Sequence, residues 1–258
     1  SPRFAPLDDA RQVALWLAAQ VRQGRPAVLS AAANNAVRAC IAARDHHLDI
    51  SGTLFRVSGE PFSAVKHDLV ASLGCRTFSG WSMSEAGWLG GGCAHREAID
   101  EVHLFEGKIA AFTRAKSLSE GDTPIDALYL TTVIPTVPKI MLNLDTGDYG
   151  VLSRRSCGCL LEQAGFSWHL HSIRNYEKLT AGGMHFLGSE MVRLIEEVLP
   201  AAFGGGPTDY QIVEEQQDAL TQVSIVVSPR VGPVDEERLA NRVLDFLRAQ
   251  NPGNRLMS

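Results

Sequence analysis

"TLFRVSGEPFSAVKHDLVASLGCRTFSG", residues 53–80, is the stretch that decides the fold. It opens on the short apolar run TLFRVS, passes through a helical segment from Ser63 to Leu73 and closes on a second short run, RTFSG. Two short apolar strands joined by a helix of this length predict a parallel sheet with crossover helices. The rhythm extends backwards, with PAVLS (26–30) as a strand and Ser30 to Ala43 as its crossover helix. Before it, Val13, Trp16, Leu17 and Val21 recur at helical spacing from Asp9 to Gln23, with Asp9 as cap and Gly24 past the end. Ligands of parallel sheets bind beyond the carboxyl ends of the strands, where loops and helix N-termini converge. Two loops fall at such ends here: SGEP (58–61) and GWSMSE (80–85).

Downstream the texture becomes strand-rich. EVHLFEGKIAAFTR (101–114) predicts a hairpin turning at Glu106 and Gly107, and ALYLTTVI (127–134) and KIMLNLDTGD (139–148) follow as further strands. Together they predict a β-subdomain laid against the parallel sheet. A third texture begins near Ser172. Met191, Leu194, Ile195, Val198 and Leu199 form one helical face stopped by Pro200; YQIVEE and QVSIVVS alternate around QQDA as a hairpin. A last helix runs from Asp235 to Gln250 with Leu239, Val243, Phe246 and Leu247 inward, and the glycines at 204–206 form a loop within this unit. The predicted class is α/β: a parallel sheet with crossover helices plus a β-rich subdomain over 1–172, then a small α+β C-terminal domain over 173–258.

Composition narrows the function. With 258 residues, 45% hydrophobic content, 21% charged residues and a formal net charge of -5, the chain reads as a soluble globular protein without a nucleic-acid face. Its apolar stretches are cut by charge or glycine well short of the roughly 20 residues a membrane span needs, and no signal-peptide pattern opens it, so the expected compartment is the cytoplasm. Five cysteines, an odd number, argue for metal binding or buried thiols over a disulfide framework.

Four short stretches stand in a fixed order: SGEP (58–61), WSMSE (81–85), TGD (146–148) and IRNYEKLTAGG (173–183). This series resembles the nucleotide-binding half of the adenylate-forming (acyl-CoA synthetase, AMP-binding) superfamily, and most of all its phenylacetate-CoA ligase-like branch. The resemblance runs from about Pro26 to the C-terminus and rests on order and spacing, since no one motif is specific alone. It implies that Trp81 lies against adenine, Ser84 bonds a phosphate oxygen, and Glu85 holds the Mg²⁺ that neutralises the leaving pyrophosphate, with Ser82 and Met83 in the same loop. The family has glycine where this chain has Ser82, which matters only if the backbone there needs a positive φ. Ser58, Gly59, Glu60 and Pro61 fall beside the adenine and acyl pocket, with a helix starting at Pro61. Asp148 matches the aspartate that accepts both ribose hydroxyls, and Arg174 the arginine that reaches ribose and α-phosphate before the hinge to a small mobile domain. The usual acidic pair beyond it is Tyr176 and Glu177, so the hinge role falls on Glu177. Gly182 and Gly183 would let the small domain approach the acyl-adenylate and a thiol acceptor.

Cysteine and histidine spacing raises a metal question. Cys93, His103, Cys157 and Cys159 make a Cys₃His set, and the resembled branch carries a cysteine after its SE loop, a following histidine and a Cys-x-Cys before the hinge. Three thiolates and an imidazole suit a structural, tetrahedral Zn²⁺. A rival local set is Cys157, Cys159, His169 and His171, where the period of a strand puts both imidazoles of HLH on one face. Cys40 and Cys75 read as small buried hydrophobes.

The family's Ser/Thr/Gly-rich phosphate loop with its lysine, and the lysine near its C-terminus, have no counterpart in these residues, and the small domain is one strand short. The reading is therefore a trimmed or truncated ligase. The parent activates a small carboxylic acid, aromatic acids included, with ATP as acyl-AMP and passes the acyl group to a thiol, either coenzyme A or the phosphopantetheine of a carrier protein. Two other readings stand beside it: a non-catalytic partner or binding protein that keeps the fold and a zinc site, and an acyl-transferring subunit that uses this half-site in a larger complex.

Overall fold

The structure, a computed structural model, describes residues 9–117, 124–136, 139–176, 179–181, 184–186, 188–217 and 220–250. The chain divides into two compact units, Ser1–Ile173 and Arg174–Ser258.

The first unit opens with α1 (Ala10–Arg22), β1 (Val28–Ala32), α2 (Ala33–Asp45), β2 (Leu54–Ser58), α3 (Ala64–Ser72) and β3 (Arg76–Met83). The three strands are parallel and in register, with Val28 beside Leu54 and Leu54 beside Arg76. Alternation along β2 buries Phe55 and Val57 and exposes Arg56 between them, as a pleated strand covered on one face must. The core on the covered face joins Phe55 and Val57 to Ala14, Leu17 and Ala18 of α1 and to Ala33, Ala36, Cys40 and Ala43 of α2. Cys75 belongs to the same cluster, so both Cys40 and Cys75 are buried among apolar groups. The buried stripe of α1 differs from the predicted one: Trp16 is 45% exposed, and Ala14 and Ala18 flank Leu17 instead. Alanines on both helices let the backbones approach closely, leaving no room at that seam for an indole.

At Met83 the chain turns back into β4 (Gly87–Gly91), antiparallel to β3. It continues through β5 (Val102–Leu104), β6 (Ile109–Lys116), β7 (Ile125–Thr132), β8 (Leu144–Arg154), the single turn α4 (Leu160–Gln163) and β9 (Trp168–Asn175). All nine strands form one sheet in the order β1-β2-β3-β4-β5-β9-β8-β7-β6. The β-rich part therefore continues the parallel sheet edge to edge through β3. The turn at Glu106 and Gly107 is present, but β5 and β6 are not hairpin partners. β5 is bonded to β4 and β9, which use both of its edges, while β6 pairs with β7 along its whole length. A second core fills one face here, from Ala86, Leu89, Val102, Leu104, Ile109, Leu128, Leu130, Met141 and Leu170.

The glycines after Trp88 belong to this packing. A Cβ on Gly90 would lie 2.8 Å from the His103 carbonyl oxygen, and one on Gly92 would lie 3.0 Å from both backbone N and O of Ser79. The stretch 80–93 is thus a hairpin whose return strand is narrow because neighbouring backbones press against it, rather than one flexible loop.

In the second unit, β10 (Leu179–Ala181) and β11 (Met184–Phe186) pair antiparallel. Then come α5 (Gly188–Arg193), a π-helical turn (Leu194–Val198) and α6 (Leu199–Phe203). Pro200 does not stop the helix. It stands in the first turn of α6, directly after the π turn, whose wider spiral relieves the clash between a proline ring and the carbonyl one turn back. β12 (Tyr210–Gln217) and β13 (Leu220–Val227) form the antiparallel hairpin, and α7 (Glu236–Gln250) closes the unit. Leu194, Leu199, Tyr210, Leu239, Phe246 and Leu247 form its core, with Val243 packed against them. Among the described residues no helix is long and apolar enough to cross a membrane.

Candidate functional site

Two of the four motifs lie on neighbouring parallel strands at their carboxyl ends. Ser58 is the last residue of β2, Gly59 follows with φ +78°, and Pro61 offers its carbonyl to the buried ammonium of Lys66 at 3.1 Å. The next helix begins at Ala64 rather than Pro61, because Ser63 is the cap, its hydroxyl accepting from the Lys66 N–H at 3.4 Å. Glu60 turns towards α2 instead: its Oε2 accepts from the Asn34 N–H at 2.8 Å, putting negative charge on the N-terminus of a helix that has no side-chain cap of its own.

On β3, Trp81, Ser82 and Met83 are strand residues, and Ser84–Ala86 make the turn into β4. Trp81 and Met83 are half-buried against the second core, Ser84 is exposed and Glu85 half-buried. Among the described residues the non-glycines with positive φ are His47, Asn143 and Ser172. Ser82 is therefore in ordinary strand conformation, and a serine fits there without strain. The register shifts by one between Trp81 and Ser82, where β4 carries the extra residue Leu89. Beside this bulge Trp88 lies across Gly80, where a Cβ would stand 2.3 Å from the indole, and the Arg56 guanidinium covers the same ring at 3.8 Å from its centroid. The sequence reading missed that stack; a glycine directly before an aromatic strand residue was its one trace.

In TGD, Gly147 takes φ +74° within β8. The Thr146 hydroxyl donates to the Leu128 carbonyl at 2.9 Å and accepts from the Asp148 N–H at 3.2 Å, and Asp145 pairs with Lys116 at 2.7 Å. Asp148 is half-buried. Arg174 lies near the end of β9 and is the first residue of the second unit. Glu177, Gly182 and Gly183 lie outside the described residues.

The metal-type residues come together. The ligand atoms of Cys93, His103, Cys157 and Cys159 all lie within 4.8 Å of one another. His103 Nε2 stands 3.2 Å from Cys159 Sγ and 3.5 Å from Cys157 Sγ. Its Nδ1 is 2.7 Å from the Phe166 carbonyl oxygen, which can only accept, so Nδ1 carries the proton and Nε2 faces the thiols with its lone pair. Burial lowers the His103 pKa, which keeps the imidazole neutral, the form that binds metal. Burial also pushes the Cys93 thiol up to about 12 and raises Cys157. Burial acts the same way on Cys159, but hydrogen bonds from the backbone at Glu162 and Leu161 outweigh it and bring that thiol below its ordinary value. Of the rival set, His171 bonds the Ser172 hydroxyl at 3.0 Å, while the His169 ring lies beside His103, centroids 4.0 Å apart and planes tilted by 50°.

Two carboxylates hold this cluster in shape. Glu162 accepts from the Cys157 N–H at 2.8 Å and from the Gly158 N–H, and its pKa falls to about 2 through bonds from Ser156 and those two backbone groups. Glu101, 2% exposed, accepts from the backbone N–H groups of Glu97 and Ala98, from the Arg155 guanidinium and from His169 Nδ1 at 2.5 Å. Burial alone would raise the Glu101 carboxyl, but these donors bring it to about 2. The sequence reading named neither residue. Glu162 had a signal: it stands three residues after Cys159, the spacing of a reciprocal helix cap.

The fold is that of adenylate-forming ligases. A 2-hydroxyisobutyryl-CoA ligase in the postadenylation state, in complex with R3-HIB-AMP, superposes with a TM-score of 0.63 at 18% identity, over 95% of this chain and 53% of its own. An open conformation of 2-hydroxyisobutyryl-CoA ligase with 2-HIB-AMP and CoA gives 0.54 at 18% identity, over 95% of this chain and 56% of its own. The anthranilate CoA ligase AuaEII in complex with anthranoyl-AMP gives 0.54 at 14% identity, over 92% and 46%. The chain therefore spans about half the length of these structures. No family model matches the sequence, and no curated protein matches it significantly.

Proposed function

We propose that this chain belongs to an adenylate-forming carboxylate ligase of the phenylacetate-CoA ligase-like branch, with 1–172 from the large adenylate-binding domain and 173–258 from its small domain. The observation that carries the reading is the placement of Ser58–Pro61 and Trp81–Glu85 at the ends of adjacent parallel strands, where α/β sheets bind nucleotides. Trp81 supplies a flat face for adenine, Ser84 a hydroxyl for a phosphate oxygen, and Glu85 a carboxylate for the Mg²⁺ that offsets charge on the leaving pyrophosphate. Asp148 accepts from the ribose hydroxyls and Arg174 bonds the α-phosphate. The substrate class is a small carboxylic acid, activated as acyl-AMP and passed to the thiol of coenzyme A or of a carrier-protein phosphopantetheine, in the cytoplasm.

In the same reading Cys93, His103, Cys157 and Cys159 hold a structural Zn²⁺. Their chemistry fits: three thiols and one imidazole lone pair converge, which fills a tetrahedron and leaves no position for substrate. Zinc there ties the return strand of the Trp81–Glu85 hairpin to the Cys-x-Cys turn.

Calorimetric titration of this chain with AMP and with a non-hydrolysable aryl acyl-adenylate analogue, in Mg²⁺ buffer, tests the nucleotide half-site. Saturable binding that Trp81→Ala abolishes is expected; no binding of either ligand by folded chain overturns the assignment. In an active full-length protein, Glu85→Gln is expected to cut ATP–pyrophosphate exchange steeply, and an unchanged rate removes Glu85 as the magnesium ligand.

A further inference from the structure

His169 is wholly buried, and its Nε2 has no hydrogen-bond partner among the described residues. Its other nitrogen, Nδ1, lies 2.5 Å from a carboxylate oxygen of Glu101, itself buried and fixed by Arg155 and two backbone N–H groups. A histidine with one nitrogen anchored on a buried carboxylate and the other bare is in the pose of a metal-ligating histidine, because the carboxylate fixes the tautomer and makes the free nitrogen a better donor. The position of His169 is beside the cluster of four ligand atoms, of which its own nitrogen is not one. His169 is paired directly across the β5–β9 ladder with His103, the imidazole whose Nε2 faces the thiols. Directly opposed strand residues share a face of the sheet, and the two rings lie side by side with centroids 4.0 Å apart and planes tilted by 50°. The bond to Glu101 accounts for Nδ1 but leaves Nε2, a buried polar atom, without a partner among the described residues.

We infer that His169 is a reserve ligand of the metal centre: when His103 leaves the ion, the imidazole beside it supplies the fourth donor to Cys93, Cys157 and Cys159. This rests on the metal reading above and extends it. The site then has two imidazoles for one position, His103 aligned by the Phe166 carbonyl and His169 by the Glu101 carboxylate. Exchange between them lets the metal stay bound by three thiolates while one imidazole departs, so the ion is held more tightly against chelators than any single His ligand would hold it.

Co²⁺ is the probe, because its thiolate charge-transfer and ligand-field bands report donor type and geometry. Full chain stripped of metal would be titrated as wild type, His103→Ala, His169→Ala and the double variant, with circular dichroism to establish folding. Wild type should bind one equivalent in a tetrahedral thiolate spectrum. His103→Ala should keep one equivalent with a tetrahedral spectrum and lose about 10- to 100-fold in affinity. The double variant should lose at least as much again and change its ligand-field bands as water replaces nitrogen. If the double variant matches His103→Ala in affinity and spectrum, His169 is no ligand and the inference fails while the metal centre stands. If wild type binds no Co²⁺, both fail. Should His103→Ala not fold, release of Zn²⁺ from wild type and His169→Ala into a chelator decides: faster release from the variant supports the exchange, and equal rates overturn it.

Discussion

Glu162 shows how much a single side chain can do for a turn it does not belong to. Its carboxylate takes the N–H groups of Cys157 and Gly158, so the Cys-x-Cys segment is held before any ion arrives. Glu162→Gln, which keeps the shape and halves the acceptor capacity, is expected to weaken zinc binding about 10-fold in a competitive chelator titration, with little change in the circular dichroism spectrum. Gly90 is the opposite case, fixed by what it lacks. Gly90→Ala would drive a methyl onto the His103 carbonyl 2.8 Å away and should cost about 1–3 kcal/mol in denaturant unfolding. At position 82 the usual substitution argument reverses. Since Ser82 is in strand conformation, Ser82→Gly gains nothing in geometry and should destabilise by about 0.5–1 kcal/mol through the unfolded state, measurable in the same unfolding series. The cysteine set was legible in the sequence because thiols and imidazoles carry their chemistry in their identity. Glu101, Arg155 and the Arg56–Trp88 stack were not, because charged and aromatic residues are common and only three-dimensional neighbours give them meaning.

Elements repeat the lesson at larger size. The three crossover strands and their helices were legible because each contact is local and each strand buries a readable alternation. The pairing of β5 was not. A turn at Glu106 and Gly107 looks the same in sequence whether the flanking strands join each other or diverge, and here β5 is taken by β4 and β9. The helix through Pro200 escaped for a similar reason, since the π turn that accommodates the ring depends on packing around Leu194 and Leu199. SGEP illustrates a shared duty: Glu60, read as part of a ligand loop, also steadies α2 through the Asn34 N–H. Glu60→Gln should therefore lower stability by about 0.3–1 kcal/mol, an effect that salt diminishes and that thermal melts at low and high ionic strength will separate.

For the whole chain, each unit has its own core, Leu17, Phe55 and Leu128 being buried in the first and Leu199 and Phe246 in the second. Metal in the first unit should stabilise that unit. If zinc is present at about 1,000 times its dissociation constant, it contributes about 4 kcal/mol, which corresponds to a shift on the order of 10 °C for a unit of this size. Scanning calorimetry with and without a strong chelator should show the first unit's transition move by that order; no shift would contradict the assignment. The division into an α/β unit and a small α+β unit was legible from changes in texture along the chain. The likeness to part of an adenylate-forming ligase was legible from motif order, and at 18% identity or less the superposition bears on the fold alone.

The strand order has a further consequence for how the molecule breathes. Cys93 and Cys157 stand at the two ends of a long excursion in which β6, β7 and β8 are laid down at the far end of the sheet, joined to the rest through β8 and β9. An ion held by both ends would fasten the neck of that excursion, while its body is attached by the β8–β9 ladder and by the core that Ile109, Leu128 and Leu130 share with Leu89, Leu104 and Leu170. The three outer strands still share a core with the hairpin, since Ile109, Leu128 and Leu130 lie in the cluster against which Trp81 and Met83 pack, so their opening strips that hairpin of part of its packing. Hydrogen exchange should accordingly show β6, β7 and β8 opening with one shared free energy, below that of β2 and β3.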